Sequence, residues 1–179
     1  LMFFHGGGYC SGSIQSHRRL VTEAGRAAKM RTLAVAYRLA PEDPFPAAYE
    51  DALTAWRFLQ GQGIVAARVA IGGDSAGAGL TLALISRLRD AREELHACAW
   101  LISPWTDLTL SGETLQSKAS VDPLIHKEYL NELADAYLPA GMDRKDPRVS
   151  PLYADFRNFP PMLIQIGSEE TLLDDATRL

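Results

Sequence analysis

Residues 68–89 read RVAIGGDSAGAGLTLALISRLR, and the rest of the chain is understood from how this stretch folds. The apolar run Arg68–Ile71 predicts a strand, and Ala76–Arg89 predicts a helix. Between them Gly73-Asp74-Ser75-Ala76-Gly77 is a G-x-S-x-G pattern. In a strand–turn–helix setting this pattern makes a sharp elbow. It lifts a serine hydroxyl above the sheet edge and aims the following backbone N–H at the same spot. Gly73 and Gly77 carry no Cβ, so the turn can close and the helix can pack tightly. Ser75 also reads as an ordinary helix N-cap, but the elbow context favours a nucleophile.

A second stretch upstream supplies complementary chemistry. The apolar run Leu1–Phe4 predicts a strand and is followed by His5-Gly6-Gly7-Gly8. A glycine run at a strand end exposes backbone N–H groups able to hold the negative oxygen of a tetrahedral intermediate. The residue after the nucleophile, Ala76, is expected to add its own N–H. Together the two motifs imply acyl transfer by a serine.

Strand-like and helix-like segments alternate along the chain. A helix is predicted over His17–Met30, a buried strand over Thr32–Tyr37 and a helix around Ala48–Leu59. Further strands are predicted over Ala97–Ser103 and Met162–Ile166, with helices near Lys127–Leu138 and from Leu172 to Leu179. The strands are continuous apolar runs rather than alternating ones, as parallel strands covered on both faces are. The alternation implies an α/β fold with a mostly parallel sheet and helices on both faces.

With 179 residues, 47% of them hydrophobic and 22% charged, the chain suits one domain with a real core. A net charge of −4 gives no reason to expect nucleic acid or an anionic membrane as partner. Cys10 and Cys98 show no metal spacing and read as free thiols. No apolar run approaches the roughly 18 residues of a membrane span. The chain opens apparently inside a strand and closes apparently inside a helix, so it reads as an internal fragment of one core domain, residues 1–179. A cytoplasmic location is the expectation, and oligomeric state is not legible.

These motifs resemble the hormone-sensitive-lipase-like branch of the α/β-hydrolases. The resemblance extends through Tyr37-Arg38-Leu39-Ala40-Pro41-Glu42, Phe45-Pro46-Ala47-Ala48, Glu50-Asp51, Ser103-Pro104-Trp105-Thr106-Asp107 and Asp122-Pro123, nearly end to end. It implies an α/β-hydrolase fold truncated at both ends. It also implies a carboxylesterase acting on short-to-medium acyl esters through an acyl-enzyme, with a small-molecule ester as partner and no cofactor or metal. A non-catalytic small-molecule receptor on the same fold, or amide cleavage with the same residues, is the alternative.

The resemblance makes Gly7 and Gly8 the donating glycines, gives Gly6 to the turn, and makes His5 a structural residue holding the loop. Asp74 is expected to tether the elbow. In such proteins the triad acid usually follows the seventh strand in an Asp-Pro-Leu setting. Here the loop reads Gly167-Ser168-Glu169-Glu170-Thr171-Leu172-Leu173-Asp174. Aligning Leu172 on the family leucine places Glu170 at the acid position, with glutamate for aspartate and Thr171 for proline. Glu169, Asp174 and Asp107 are rivals. Asp174 and Asp175 otherwise read as charge favouring a helix start. The base should be a histidine after the acid. His5, His17, His96 and His126 all precede Glu170, so the base is expected beyond Leu179. His126 is a possible pocket neighbour. Trp105, Leu124 and Tyr129 are candidates for an acyl pocket, or for ordinary packing.

Overall fold

The computed structural model describes residues 1–179. Five strands form one sheet: β1 (Met2–Phe4), β2 (Leu33–Val35), β3 (Ala70–Asp74), β4 (Cys98–Ile102) and β5 (Met162–Gln165). Their spatial order is β2-β1-β3-β4-β5, and every neighbouring pair is parallel. Met2, Phe3, Phe4 and Ile71 are buried, as central strands of a sheet covered on both faces must be. The α/β architecture implied by the alternation is the one observed.

Three long helices cover the sheet: α1 (Ile14–Ala28), α2 (Ala47–Gly61) and α3 (Ala76–Asp90). The chain passes from β1 to β2 in one direction and from β3 to β4 in the other. Right-handed crossovers therefore put α1 on one face and α3 on the opposite one, where α2 packs against α3. Helix α3 is the spine of the core and is buried without a break from Ala76 to Ile85. Its Leu80, Leu84 and Leu88 pack with Ala52, Leu53 and Trp56 of α2, while Ala78, Leu82 and Ile85 meet Ala99 and Leu101 of β4. Each buried leucine contributes about 1.5–3 kcal/mol. Between β4 and β5 lie the short α4 (Thr114–Ser117) and α5 (Lys127–Tyr137), and α6 (Leu173–Thr177) follows β5.

Some boundaries differ from those predicted. The strand before the elbow begins at Ala70 and runs through both glycines to Asp74, because Gly72 and Gly73 pair with Trp100 and Leu101 of β4. Arg68 instead closes a 3-10 turn, Ala66–Arg68. Helix α1 begins at Ile14 because Ser13 and Ser16 cap each other: Ser16 N–H donates to Ser13 Oγ and Ser13 N–H to Ser16 Oγ. It ends at Ala28, where Lys29 takes a left-handed backbone. Cys10 and Cys98 are free thiols. No helix is long and apolar enough to cross a membrane.

Asp175 does more than charge the start of α6. Its side chain is buried, and Oδ2 accepts the N–H groups of Thr106 (2.7 Å) and Asp107 (2.8 Å), joining α6 to the segment after β4. Burial pushes its carboxyl up to about 7, against the pull of those two N–H groups. The folded state thus keeps the proton to a higher pH than the unfolded chain does. Stability from this group is full below the ordinary aspartate range and is lost as pH rises toward about 7. Asp175→Asn retains an acceptor for both N–H groups and cannot ionise. Its stability relative to wild type is expected to rise between about pH 4.5 and about pH 7.5, by up to about 3 kcal/mol. Urea melts at the two pH values check this, and a pH-independent difference would exclude the buried carboxyl as the source.

Candidate active site

The divergence of the crossovers leaves a crevice at the C-terminal ends of β1 and β3, the usual place for a site in an open α/β sheet. One side of it is the elbow. Ser75 has φ 51° and ψ −120°, a conformation that non-glycine residues rarely adopt. Its backbone is held on both sides. Ser75 N–H donates to Ile102 O (2.9 Å), and Ser75 O accepts from the N–H groups of Ala78 (3.0 Å), Gly79 (3.1 Å) and Trp105 (3.1 Å). The Ser75 hydroxyl makes no capping bond to α3, so the N-cap reading does not hold. Ala76 is the first residue of α3, where the backbone N–H groups have no intrahelical acceptor.

Helix α3 reaches this position because two residues lack a Cβ. One on Gly77 would strike the carbonyls of Phe4 and His5, and one on Gly73 would strike the Gly77 backbone. The strand, the helix and the glycine loop therefore meet backbone to backbone.

The other side of the crevice is His5–Gly8, where each peptide plane is fixed by a different partner. The His5–Gly6 peptide is held at both ends: Tyr37 OH donates to His5 O (2.6 Å), and Gly6 N–H donates to Asp74 Oδ1 (2.9 Å). Gly6 O lies 2.7 Å from His5 Nδ1. A carbonyl oxygen only accepts, so Nδ1 carries the hydrogen. Gly7 O accepts from Cys10 N–H (3.0 Å), Ser11 N–H (2.9 Å) and Ser11 Oγ (3.0 Å). In a trans peptide the N–H points opposite to the preceding C=O. The N–H groups of Gly7 and Gly8 are thereby turned away from their occupied carbonyls, and neither is bonded within the chain. The positive φ values of Gly7 (118°) and Gly8 (61°) make this path one for glycine. Helix α5 lies over the loop, its Leu133 side chain filling the space a Cβ on Gly8 would need.

His5 is buried and stacked on Tyr37, with ring centroids 4.4 Å apart. Burial lowers its pKa, against the opposing pull of its bond to Gly6 O. The ring's one hydrogen bond runs to the backbone of the loop, at Gly6 O. His17 Nε2 lies 3.1 Å from Asp74 Oδ2. His96 is buried beside Trp56 just before β4, at the opposite end of the sheet, and burial lowers it to about 4. His126 is exposed at the start of α5. None of the four hydrogen-bonds Ser75 or Glu170.

Glu170 follows β5. Its Oε1 accepts from Gly167 N–H (2.7 Å) and from Ser103 Oγ (2.9 Å), leaving Oε2 unpaired. Ser103 immediately follows Ile102, whose carbonyl holds Ser75 N–H, so the glutamate is linked to the elbow through one residue. Thr171 is tied to a distant acid. Its N–H and hydroxyl both donate to Asp122 Oδ2 (2.9 and 3.1 Å), while Asp122 Oδ1 accepts from Leu124 and Ile125 N–H. Proline would supply neither donor to Asp122.

The other acids are engaged elsewhere. Asp107 is buried and bonded by Thr109, Ser111, Tyr153 and Arg178. Burial would raise its pKa, but the Ser111 and Thr109 donors outweigh burial and hold it low. Asp174 exchanges bonds with Thr114 at α4, and Glu169 pairs with Lys118. Of the proposed acyl-pocket residues, Trp105 is wholly buried near Tyr9 and belongs to the core, because its backbone is anchored under the elbow. Leu124 and Tyr129 are exposed. A groove of about 580 Å³ lined by Met30, Phe58, Ile64 and Val69 opens at the far end of the sheet, away from Ser75. Tyr37, Ser103 and His17 have no assigned role in the sequence, and Asp74, expected there to tether the elbow, bonds Gly6 N–H and His17 Nε2; a tyrosine closing a buried strand is the one available signal.

A parallel sheet with a strained serine at the central elbow and a clamped glycine loop beside it defines an α/β hydrolase. A family model described as the alpha/beta hydrolase fold matches residues 1–179. The chain is 48% identical over 179 residues to an acetyl-hydrolase of Streptomyces hygroscopicus, covering all of this chain and 60% of that protein. It is 40% identical to an esterase of Acinetobacter venetianus, covering 99% of this chain and 59% of that one. It superposes with a TM-score of 0.97 on an esterase from the bacterial hormone-sensitive lipase family, at 45% identity, covering 99% of this chain and 60% of the other. The chain belongs to the hormone-sensitive-lipase-like branch of the α/β hydrolases and spans about 60% of the length of these relatives.

The backbone contact at Gly77 is directly testable. Gly77→Ala is expected to cost at least about 1–3 kcal/mol, as overpacking does, and to slow covalent labelling of Ser75 by a fluorophosphonate. Gly61→Ala is the control. Nothing lies near its added Cβ, and it sits in α2, so it should be neutral or stabilising by about 0.5–1 kcal/mol. Urea melts measure both. Equal effects at the two positions would refute the close-approach argument.

Proposed function

We propose that these 179 residues are the core domain of a serine carboxylic-ester hydrolase acting through an acyl-enzyme. One observation carries the reading: a strained serine whose hydroxyl is left out of the helix cap faces a loop whose two free N–H groups are set by their occupied carbonyls. Ser75 Oγ attacks the ester carbonyl carbon. The oxygen that becomes negative is held by the N–H groups of Gly7, Gly8 and Ala76. These donors are fixed before reaction, so they cost no reorganisation as charge develops. The serine proton passes through a base to the alcohol as its C–O bond breaks, leaving Ser75 acylated; water then attacks the same carbonyl, its proton passes through the base to Ser75 Oγ, and the Oγ–acyl bond breaks to free the acid.

Glu170 is the acid of the triad in this reading. Two donors fix Oε1 and present Oε2 to a partner, whereas Asp107, Glu169 and Asp174 are already committed. The base is a histidine from outside residues 1–179, since none of the four present engages Ser75 or Glu170. The acetyl-hydrolase among the relatives supports short-to-medium acyl esters as substrates.

In the full protein, Ser75→Ala is expected to abolish p-nitrophenyl acetate and butyrate turnover with the fold intact, and a fluorophosphonate should label wild type at Ser75 alone. Turnover retained in the alanine variant would overturn the assignment.

Glu170→Gln should lower kcat/KM by about 10³–10⁴-fold. Glu169→Gln and Asp174→Asn should stay within about tenfold. Asp107→Asn should lower stability more than rate. A dead Asp107→Asn beside an active Glu170→Gln would move the acid to the segment after β4.

A further inference from the structure

The loop His5–Gly8 is tied to the elbow by one side chain, Asp74, which directly precedes Ser75. Oδ1 takes Gly6 N–H at 2.9 Å and Oδ2 meets His17 Nε2 at 3.1 Å. A carboxylate gives no proton, so Nε2–H donates. The final torsion of aspartate is broad. With Gly6 alone on one oxygen, the carboxylate is free to swing and carry the Gly6 peptide with it. A second donor on the other oxygen fixes the plane.

That second donor is itself held. His17 lies in the first turn of α1, whose start is set by the reciprocal Ser13–Ser16 cap. With the hydrogen on Nε2, Nδ1 accepts, and Ser16 Oγ lies 2.9 Å from it with a hydroxyl to donate. The imidazole thus has partners on both nitrogens and joins the base of α1 to the residue before the nucleophile. Residues 5–13, which contain both free N–H groups, run between β1 and α1. Their two ends are thereby fastened together through Asp74.

We propose that His17 and Asp74 are a positioning pair for the oxyanion loop: His17 fixes the Asp74 carboxylate, and Asp74 fixes the Gly6 peptide from which the Gly7 and Gly8 donors hang. The catalytic half of this rests on the ester-hydrolase reading; the structural half does not. His17 touches no reacting atom. Its removal slackens the donors and leaves the nucleophile intact, so the loss falls on the transition state.

The test measures both halves in the full protein. His17→Ala is expected to lower kcat/KM on p-nitrophenyl butyrate by about 10–100-fold, less than loss of a whole oxyanion donor, with KM within about twofold. Affinity for a trifluoromethyl ketone, whose adduct places an oxyanion in the same hole, should fall by the same factor. His17→Gln supplies an N–H at the Nε2 position and should restore most of both. Because His17 acts through Asp74, adding His17→Ala to Asp74→Ala should cost little more than Asp74→Ala alone. Additive losses, a loss carried by KM, or unchanged ketone affinity would overturn the proposal.

Hydrogen exchange at the Gly6 amide reads the structural half without any turnover. Protection should fall in His17→Ala and return in His17→Gln, and unchanged protection in the alanine variant refutes the pair. Absence of fluorophosphonate labelling in wild type would instead refute the hydrolase reading and leave the exchange result to stand or fall by itself.

Discussion

The peptide between Gly6 and Gly7 cannot rotate without breaking the bond from His5 Nδ1 to Gly6 O, and the next one cannot rotate without releasing three donors from Gly7 O. Amide planarity then does the rest. Wherever a carbonyl is pinned, the N–H across the same bond is aimed. Two such planes in succession leave two N–H groups fixed in direction and without an internal acceptor. An unpaired N–H is costly when buried. Neither of these two finds an acceptor within the chain, and in the proposed reaction the partner of both is the negative oxygen of the intermediate.

That arrangement would be idle if the loop lay anywhere else. Its position follows from the sheet. The order β2-β1-β3-β4-β5 sends the chain outward from β1 and β3 in opposite directions, opening the edge between them. Into that opening come the ends of four strands: the glycine loop after β1, Ser75 after β3, Ser103 after β4 and Glu170 after β5. The register aligns Phe4 with Gly73 and Asp74 with Ile102, so these strand ends lie level with one another. Small residues then permit contact. With Gly77 against the Phe4 and His5 carbonyls, α3 drives its first turn under the glycine loop and brings its orphan N–H groups toward the same crevice.

What was legible in the sequence was what is encoded locally. The strand–turn–helix around Ser75 and the strand–glycine run at His5 are short-range patterns, and both elements exist, though the strand before Ser75 starts two residues later than the apolar run predicts. The buried parallel strands were visible as unbroken apolar runs. What was not legible is held by distant pairs. Tyr37 reaches His5 O across 32 residues, His17 reaches Asp74 across 57, and Ser103 reaches Glu170 across 67. No spacing rule on one element connects such positions. The edges of elements were missed for a related reason. The start of α1 depends on a serine–serine cap, and the end of β3 depends on pairing that carries glycines into a strand against their own weak preference.

The loop after β5 is held by partners from distant segments. Thr171 offers an N–H and a hydroxyl, neither of which a proline has. Asp122 uses both on a single oxygen and turns its other oxygen to Leu124 and Ile125 N–H. Four donors on one carboxylate outweigh its burial and keep its pKa below the ordinary range. They also fasten the segment before α5 to the residue after Glu170. The glutamate, longer by one methylene than aspartate, would by itself sweep a wider volume. Gly167 N–H and Ser103 Oγ converge on Oε1 and remove that freedom. Hydrogen bonds from three separate segments thus fasten this loop, and a carboxylate with an extra rotatable bond is held in a single orientation.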